Sequence, residues 1–140
     1  MDRLNHVPVR PSLLLVDDCT AQRDLYEAVL APDFDVLTAA RGEEGLVLAT
    51  ETHPDAIVLD VMMPGMDGWE TCAHIKRNAA TAHIPVILLT GTEASDLQAH
   101  AAEVGASALL MKPCPADYLC EVIRTTLGEP WRKVVWTEKH

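Results

Sequence analysis

Five polar residues, spread over most of the chain, combine into one chemistry. Asp17-Asp18, Asp60, Thr90 and Lys112 each follow directly on a short apolar run. A carboxylate can serve as a nucleophile and form a covalent intermediate. Three carboxylates drawn into one crevice repel one another and raise one another's pKa. A hard divalent cation relieves that repulsion. Mg²⁺ takes one or two protein carboxylates and fills its remaining sites with water and phosphate oxygens. A lysine ammonium and a threonine hydroxyl are then natural partners for phosphoryl oxygens. Each residue alone has a plainer explanation. Asp60 could be a turn aspartate, Asp17-Asp18 a solvated pair, Thr90 a strand-end residue and Lys112 a surface lysine. The combination points to phosphoryl chemistry.

The apolar runs explain how such distant residues meet. They are Leu13-Leu14-Leu15-Val16, Ile57-Val58-Leu59, Val86-Ile87-Leu88-Leu89 and Ala108-Leu109-Leu110-Met111, with a weaker run over 34–38. Continuous rather than alternating runs fit strands buried on both faces of a parallel sheet. Helical spacing separates them. Ala21, Leu25, Ala28 and Val29 share one helix face; Leu97, Ala101 and Val104 share another; Leu119, Val122, Ile123, Thr126 and Leu127 a third. Asp67 with Glu70 reads as a capping box opening a helix with Trp69, Cys72 and Ala73 inward. A less sharply patterned helix is expected over 43–51. Gly128-Glu129-Pro130 stops the last one. Five β-α units imply an α/β fold, a parallel sheet with helices on both faces. In such sheets ligands bind outside the carboxyl ends of the strands, which is where all five polar residues fall.

Composition narrows the alternatives. The chain has 140 residues, enough for one ordinary domain. Eleven Lys+Arg against 21 Asp+Glu give a net charge of −10, which argues against direct DNA binding. No apolar stretch approaches a membrane span, and residues 1–10 lack the apolar core of a secretory signal. The expectation is a cytoplasmic protein that does not engage a membrane. Cys19, Cys72, Cys114 and Cys120 form no C-x-x-C pair and read as buried free thiols.

Four motifs in order carry a family resemblance. They are Leu-Leu-Val-Asp17-Asp18, then Asp60-Val-Met-Met-Pro64-Gly65-Met-Asp67-Gly68, then Thr90-Gly91 and finally Lys112-Pro113. In these motifs the chain resembles the receiver domain of two-component response regulators over about residues 11–127. The resemblance implies a flavodoxin-like, doubly wound (βα)5 fold with strand order 2-1-3-4-5. It implies Asp60 as phosphoacceptor, and Mg²⁺ (or Mn²⁺) held by Asp17, Asp18, Asp60 and the Met62 backbone carbonyl. Lys112 would pair with Asp60 and then with the phosphoryl group. Thr90 would bond a phosphoryl oxygen, and Gly91 would leave room for it. Pro113 would follow a cis bond. The implied donor is a sensor histidine kinase or a histidine phosphotransfer protein, and the implied output is contact with a downstream protein.

Two departures stand out. The fifth-strand position that usually carries Tyr or Phe in the family is Leu109, and the residue after Lys-Pro is Cys114 rather than Phe. Residues 1–10 read as an extension. Residues 128–140 read as a tail too short for an output domain, so a single-domain regulator is expected. A homodimer could form through the fourth and fifth helices or through the tail carrying Trp131 and Trp136. Such a protein catalyses only its own phosphorylation and dephosphorylation. Two rival classes remain: a Mg²⁺-dependent aspartyl-phosphate phosphohydrolase and a phosphorylation-independent adaptor. The first usually carries D-x-D after its first strand, whereas this strand ends Asp17-Asp18-Cys19. The Leu109→Tyr variant tests the altered switch position: partner affinity should change while phosphorylation does not, and no change in affinity would show Leu109 to be inert.

Overall fold

The computed structural model describes residues 10–92 and 96–128. Five strands alternate with five helices: β1 (Ser12–Val16), α1 (Thr20–Leu30), β2 (Asp35–Ala39), α2 (Gly42–Thr52), β3 (Ala56–Asp60), α3 (Gly68–Arg77), β4 (Val86–Thr90), α4 (Leu97–Glu103), β5 (Ala108–Met111) and α5 (Ala116–Leu127). The sheet is parallel throughout, in the order β2-β1-β3-β4-β5, as the resemblance implies. The expectations for the N-terminal extension and for Trp131 and Trp136 fall outside the described residues.

The period-2 geometry of a strand turns each continuous apolar run into two cores. Leu14, Val16, Ile57, Leu59, Val86 and Leu88 face one side, with Ala49 of α2, Cys72 and Ile75 of α3 and Ala101 of α4. Leu13, Leu15, Val58, Ile87 and Leu89 face the other, with Tyr26 and Leu30 of α1 and Leu119 and Ile123 of α5. The central strands β3 and β4 are buried along their whole length. The edge strand β2 alternates, which is why its run is the weakest in the sequence.

Several helix expectations need correction. Leu25 and Val29 of α1 face solvent, and Ala21 and Ala28 are exposed with them. The inward stripe is instead Gln22, Tyr26 and Leu30, whose first member is polar and invisible to a search for apolar spacing. On α3 the deep residues are Thr71, Cys72 and Ile75, while Trp69 and Ala73 are only half-buried. The Asp67–Glu70 capping box forms as expected. Gly128 caps α5 in the left-handed conformation, with φ 66°. All four cysteines are free, but Cys19 is exposed rather than buried.

One glycine holds the chain against the end of β3. Gly68 donates its backbone N–H to the Val61 carbonyl at 2.8 Å. A Cβ at this position would collide with the Asp60 carbonyl oxygen and stand 2.6 Å from Val61 Cα. Both obstacles are backbone, so they cannot swing aside. Gly68→Ala should therefore cost about 2–3 kcal/mol of stability, read as a lower urea midpoint at constant m-value. An unchanged midpoint would show that this loop is free to relax.

Candidate functional site

Parallel strand register brings the polar residues together. β1 lies beside β3, and β3 beside β4, so Asp17, Asp60 and Thr90 leave the sheet at one edge. Lys112 follows β5, and its backbone N–H donates to the Thr90 carbonyl at 2.8 Å. The Lys112–Pro113 bond is cis, as expected. Oxygens of Asp17, Asp18 and Asp60 all lie within 4.8 Å of one another.

The three acids differ in environment. Asp60 is 3% exposed, and its Oδ1 stands 2.9 Å from Lys112 Nζ. The angles of that contact are not those of a hydrogen bond, so it is an ion pair held by charge alone. Lys112 Nζ makes its directional bond elsewhere, donating to Gln22 Oε1 at 3.0 Å. Asp17 is 1% exposed. Its Oδ1 accepts the Cys19 backbone N–H at 2.9 Å, while its buried Oδ2 has no hydrogen-bond partner among the described residues. Burial pushes the Asp17 carboxyl above its usual range, the Cys19 N–H opposes this, and the neighbouring Asp60 charge adds to it. Asp18 is exposed at the mouth.

Burying a carboxylate oxygen without a donor is costly. Here the uncompensated oxygen lies beside two other acids. Hard oxygen donors in this number suit Mg²⁺ or Mn²⁺, so the residues present fit a divalent cation.

Thr90 is buried at the end of β4. Its Oγ1 accepts the Thr92 N–H at 3.1 Å and donates to the Thr92 carbonyl at 3.4 Å. The hydroxyl is thus satisfied within its own loop. A Cβ built on Gly91 meets nothing within 4 Å, so crowding in this structure does not require glycine there. The Met62 side chain is 66% exposed. Leu109 is half-buried against the core beneath α3 and α4.

Three residues of α1 that the motif search passes over also serve the site. Gln22 holds Lys112. Arg23 Nη1 donates to the Asp17 carbonyl at 2.6 Å. Tyr26 donates its buried hydroxyl to the Cys114 carbonyl at 3.1 Å. The available signal was the i, i+4 pairing of Gln22 with Tyr26, an amphipathic stripe with a polar start.

Removing one charge from this cluster should separate folding from metal binding. Raised above its unfolded value, the Asp17 pKa makes the ionised group a burden that grows as pH rises above about 4, the range of an unfolded Asp. Asp17→Asn should raise the metal-free stability at pH 7 by on the order of 1 kcal/mol, read as a higher melting temperature, and weaken Mg²⁺ binding at least tenfold. The stability gain should shrink toward pH 4. A variant less stable than wild type without metal would contradict this electrostatic account.

Comparisons with known proteins agree with the geometry. Residues 13–124 match the response regulator receiver domain. The Streptomyces coelicolor regulator AfsQ1 is 43% identical over 84% of this chain and 51% of its own length. The protein PilG of Pseudomonas aeruginosa is 35% identical over 80% of this chain and 84% of its own. The chain spans 22% of the Caulobacter vibrioides response regulator PleD and about half of AfsQ1. Among solved structures, the Vibrio cholerae chemotaxis protein CheY4 superposes with a TM-score of 0.79 at 28% identity, covering 84% of this chain and 98% of that one. A CheY-like receiver domain protein of Methanospirillum hungatei gives 0.80 at 26% identity, over 89% and 99%. Shared motifs, strand order and a match across the whole sheet establish that this chain belongs to the response regulator receiver domain family.

Proposed function

We propose that Asp60 accepts a phosphoryl group from a phosphohistidine, carried by a sensor histidine kinase or a phosphotransfer protein. One observation carries the proposal: a buried carboxylate within a three-acid cluster, paired at 2.9 Å with a lysine ammonium. Lys112 sets a positive charge beside Asp60, and a carboxylate oxygen is what attacks phosphorus. A new O–P bond forms at Asp60 while the N–P bond of the donor breaks. The electron pair returns to the imidazole nitrogen, which takes up a proton. Asp17, Asp18, Asp60 and the Met62 carbonyl would hold Mg²⁺ or Mn²⁺. The cation would supply charge neutralisation for the transferring group.

Thr90 and Lys112 would then bond phosphoryl oxygens. To do so Thr90 must leave Thr92, and the loop entering α4 must follow. With Leu109 in place of an aromatic ring, the surface change is carried by backbone repacking around α4 and α5. Output would pass to a downstream protein through that face. The net charge of −10 disfavours direct contact with DNA.

Incubation with Mg²⁺ and acetyl phosphate, followed by intact-mass measurement, tests the proposal. Wild type should gain one phosphoryl group; Asp60→Asn and wild type with excess EDTA should gain none. Multiple turnover of a generic phosphomonoester would support the phosphohydrolase instead. No gain in wild type, with the small donor or with a histidine kinase, would leave the adaptor.

A further inference from the structure

We infer that Gln22 is a positioning residue for Lys112, holding its ammonium beside Asp60 where an incoming phosphoryl group must arrive. The inference rests on the phosphoacceptor role proposed above. Gln22 lies in the first turn of α1 and is half-buried. Its side-chain oxygen accepts from Lys112 Nζ at 3.0 Å. The 2.9 Å approach of the same nitrogen to Asp60 lacks hydrogen-bond angles. Attraction to Asp60 is therefore Coulombic and weakly directional, while the amide supplies the direction.

A lysine needs such a guide. Its ammonium is a point charge on a flexible four-carbon stem. The Lys112 side chain is 19% exposed, so water is within reach as a competing acceptor. A neutral amide has a further advantage. It directs the ammonium without cancelling its charge, which stays available for phosphoryl oxygens. Gln22 is itself fixed from both sides of the crevice. Arg23 ties the start of α1 to the Asp17 carbonyl, and Tyr26 ties the next turn to the Cys114 carbonyl, two residues past Lys112. One helix thus gauges the distance between the acid-bearing edge of β1 and the lysine that follows β5. When Asp60 is phosphorylated, the new oxygens compete with Gln22 for the ammonium and the tether yields.

The full chain is tested as wild type, Gln22→Met and Gln22→Glu. The chain has four lysines, so the Lys112 side-chain NMR signal is readily resolved. Without phosphodonor, Lys112 should be ordered in wild type, mobile in Gln22→Met, and ordered again in Gln22→Glu, which keeps an oxygen at the same reach. The acetyl phosphate rate constant of Gln22→Met should fall about five- to tenfold, the scale of a lost charge-assisted contact at a reacting centre. Mg²⁺ affinity, followed without donor, should stay within about twofold because the Gln22 side chain bonds to Lys112 and, among the described residues, to none of the acids. A Lys112 that stays ordered in Gln22→Met overturns the inference, as does a mobile Lys112 with an unchanged rate. Should Gln22→Met melt well below wild type, Gln22→Leu takes its place under the same criteria. If wild type takes up no phosphoryl group, the phosphoacceptor proposal fails, while the Lys112 signal still decides whether the tether exists.

Discussion

Like-charge repulsion at the carboxyl edge of the sheet is the constraint around which the rest is arranged. With carboxylate oxygens within 4.8 Å of one another, each pair of negative charges carries an unfavourable Coulomb energy. Asp17, Asp18 and Asp60 make three such pairs. One ammonium, Lys112, offsets only part of that cost, and the unpaired Oδ2 of Asp17 marks what is left over. A fold selected for stability alone would replace one of these acids. Retaining all three makes sense when a cation and then a phosphoryl group enter the crevice.

Parallel pairing is what brings these charges together. Strands that all run one way end on one edge, so residues 43 positions apart, Asp17 and Asp60, become neighbours through a single register. The apolar runs anchor that register from both faces, and Gly68 lets the following loop cross close over the end of β3. Side chains that reach across strands complete the arrangement: Lys112 from beyond β5, and Gln22 and Tyr26 from α1. The geometry of the crevice therefore depends on packing far from the acids, because a shift of one strand would separate Lys112 from Asp60.

Much of this was legible in the residues themselves. Leu13–Val16, Ile57–Leu59 and Val86–Leu89 are apolar without alternation, and only two-sided burial explains that pattern. The polar residue ending each run then marked the functional edge. What escaped has a common physical origin. In α1 the inward stripe starts with Gln22 and continues through Tyr26, whereas the regular apolar spacing of Leu25 and Val29 lies on the outside. Hydrophobic periodicity cannot separate a buried polar residue that has a partner from an exposed one without a partner. Gln22 and Arg23 find their partners about 90 residues away and within the preceding loop, respectively, and no local pattern encodes the first of these. The exposure of Cys19 has a related cause, since it sits at the N-terminal boundary of α1 with its backbone N–H, rather than its thiol, bound to Asp17.

In the proposed mechanism, the link from chemistry to surface passes through the Thr90 hydroxyl. In the resting structure it is closed on Thr92, two residues along the loop toward α4. It cannot keep both of those contacts and reach a phosphoryl oxygen. In the proposed mechanism that exclusivity couples the state of the crevice to Thr92, and Leu109, packed against the core, is aliphatic rather than aromatic. The whole account depends on Asp60, and no other acid, being the group that carries phosphorus. Borohydride reduction of the phosphorylated protein, followed by peptide mass mapping, reads this directly because it converts an aspartyl phosphate to homoserine. Homoserine at position 60 alone is the predicted result; homoserine at Asp17 or Asp18, or a phosphoryl group that borohydride leaves untouched, would contradict it.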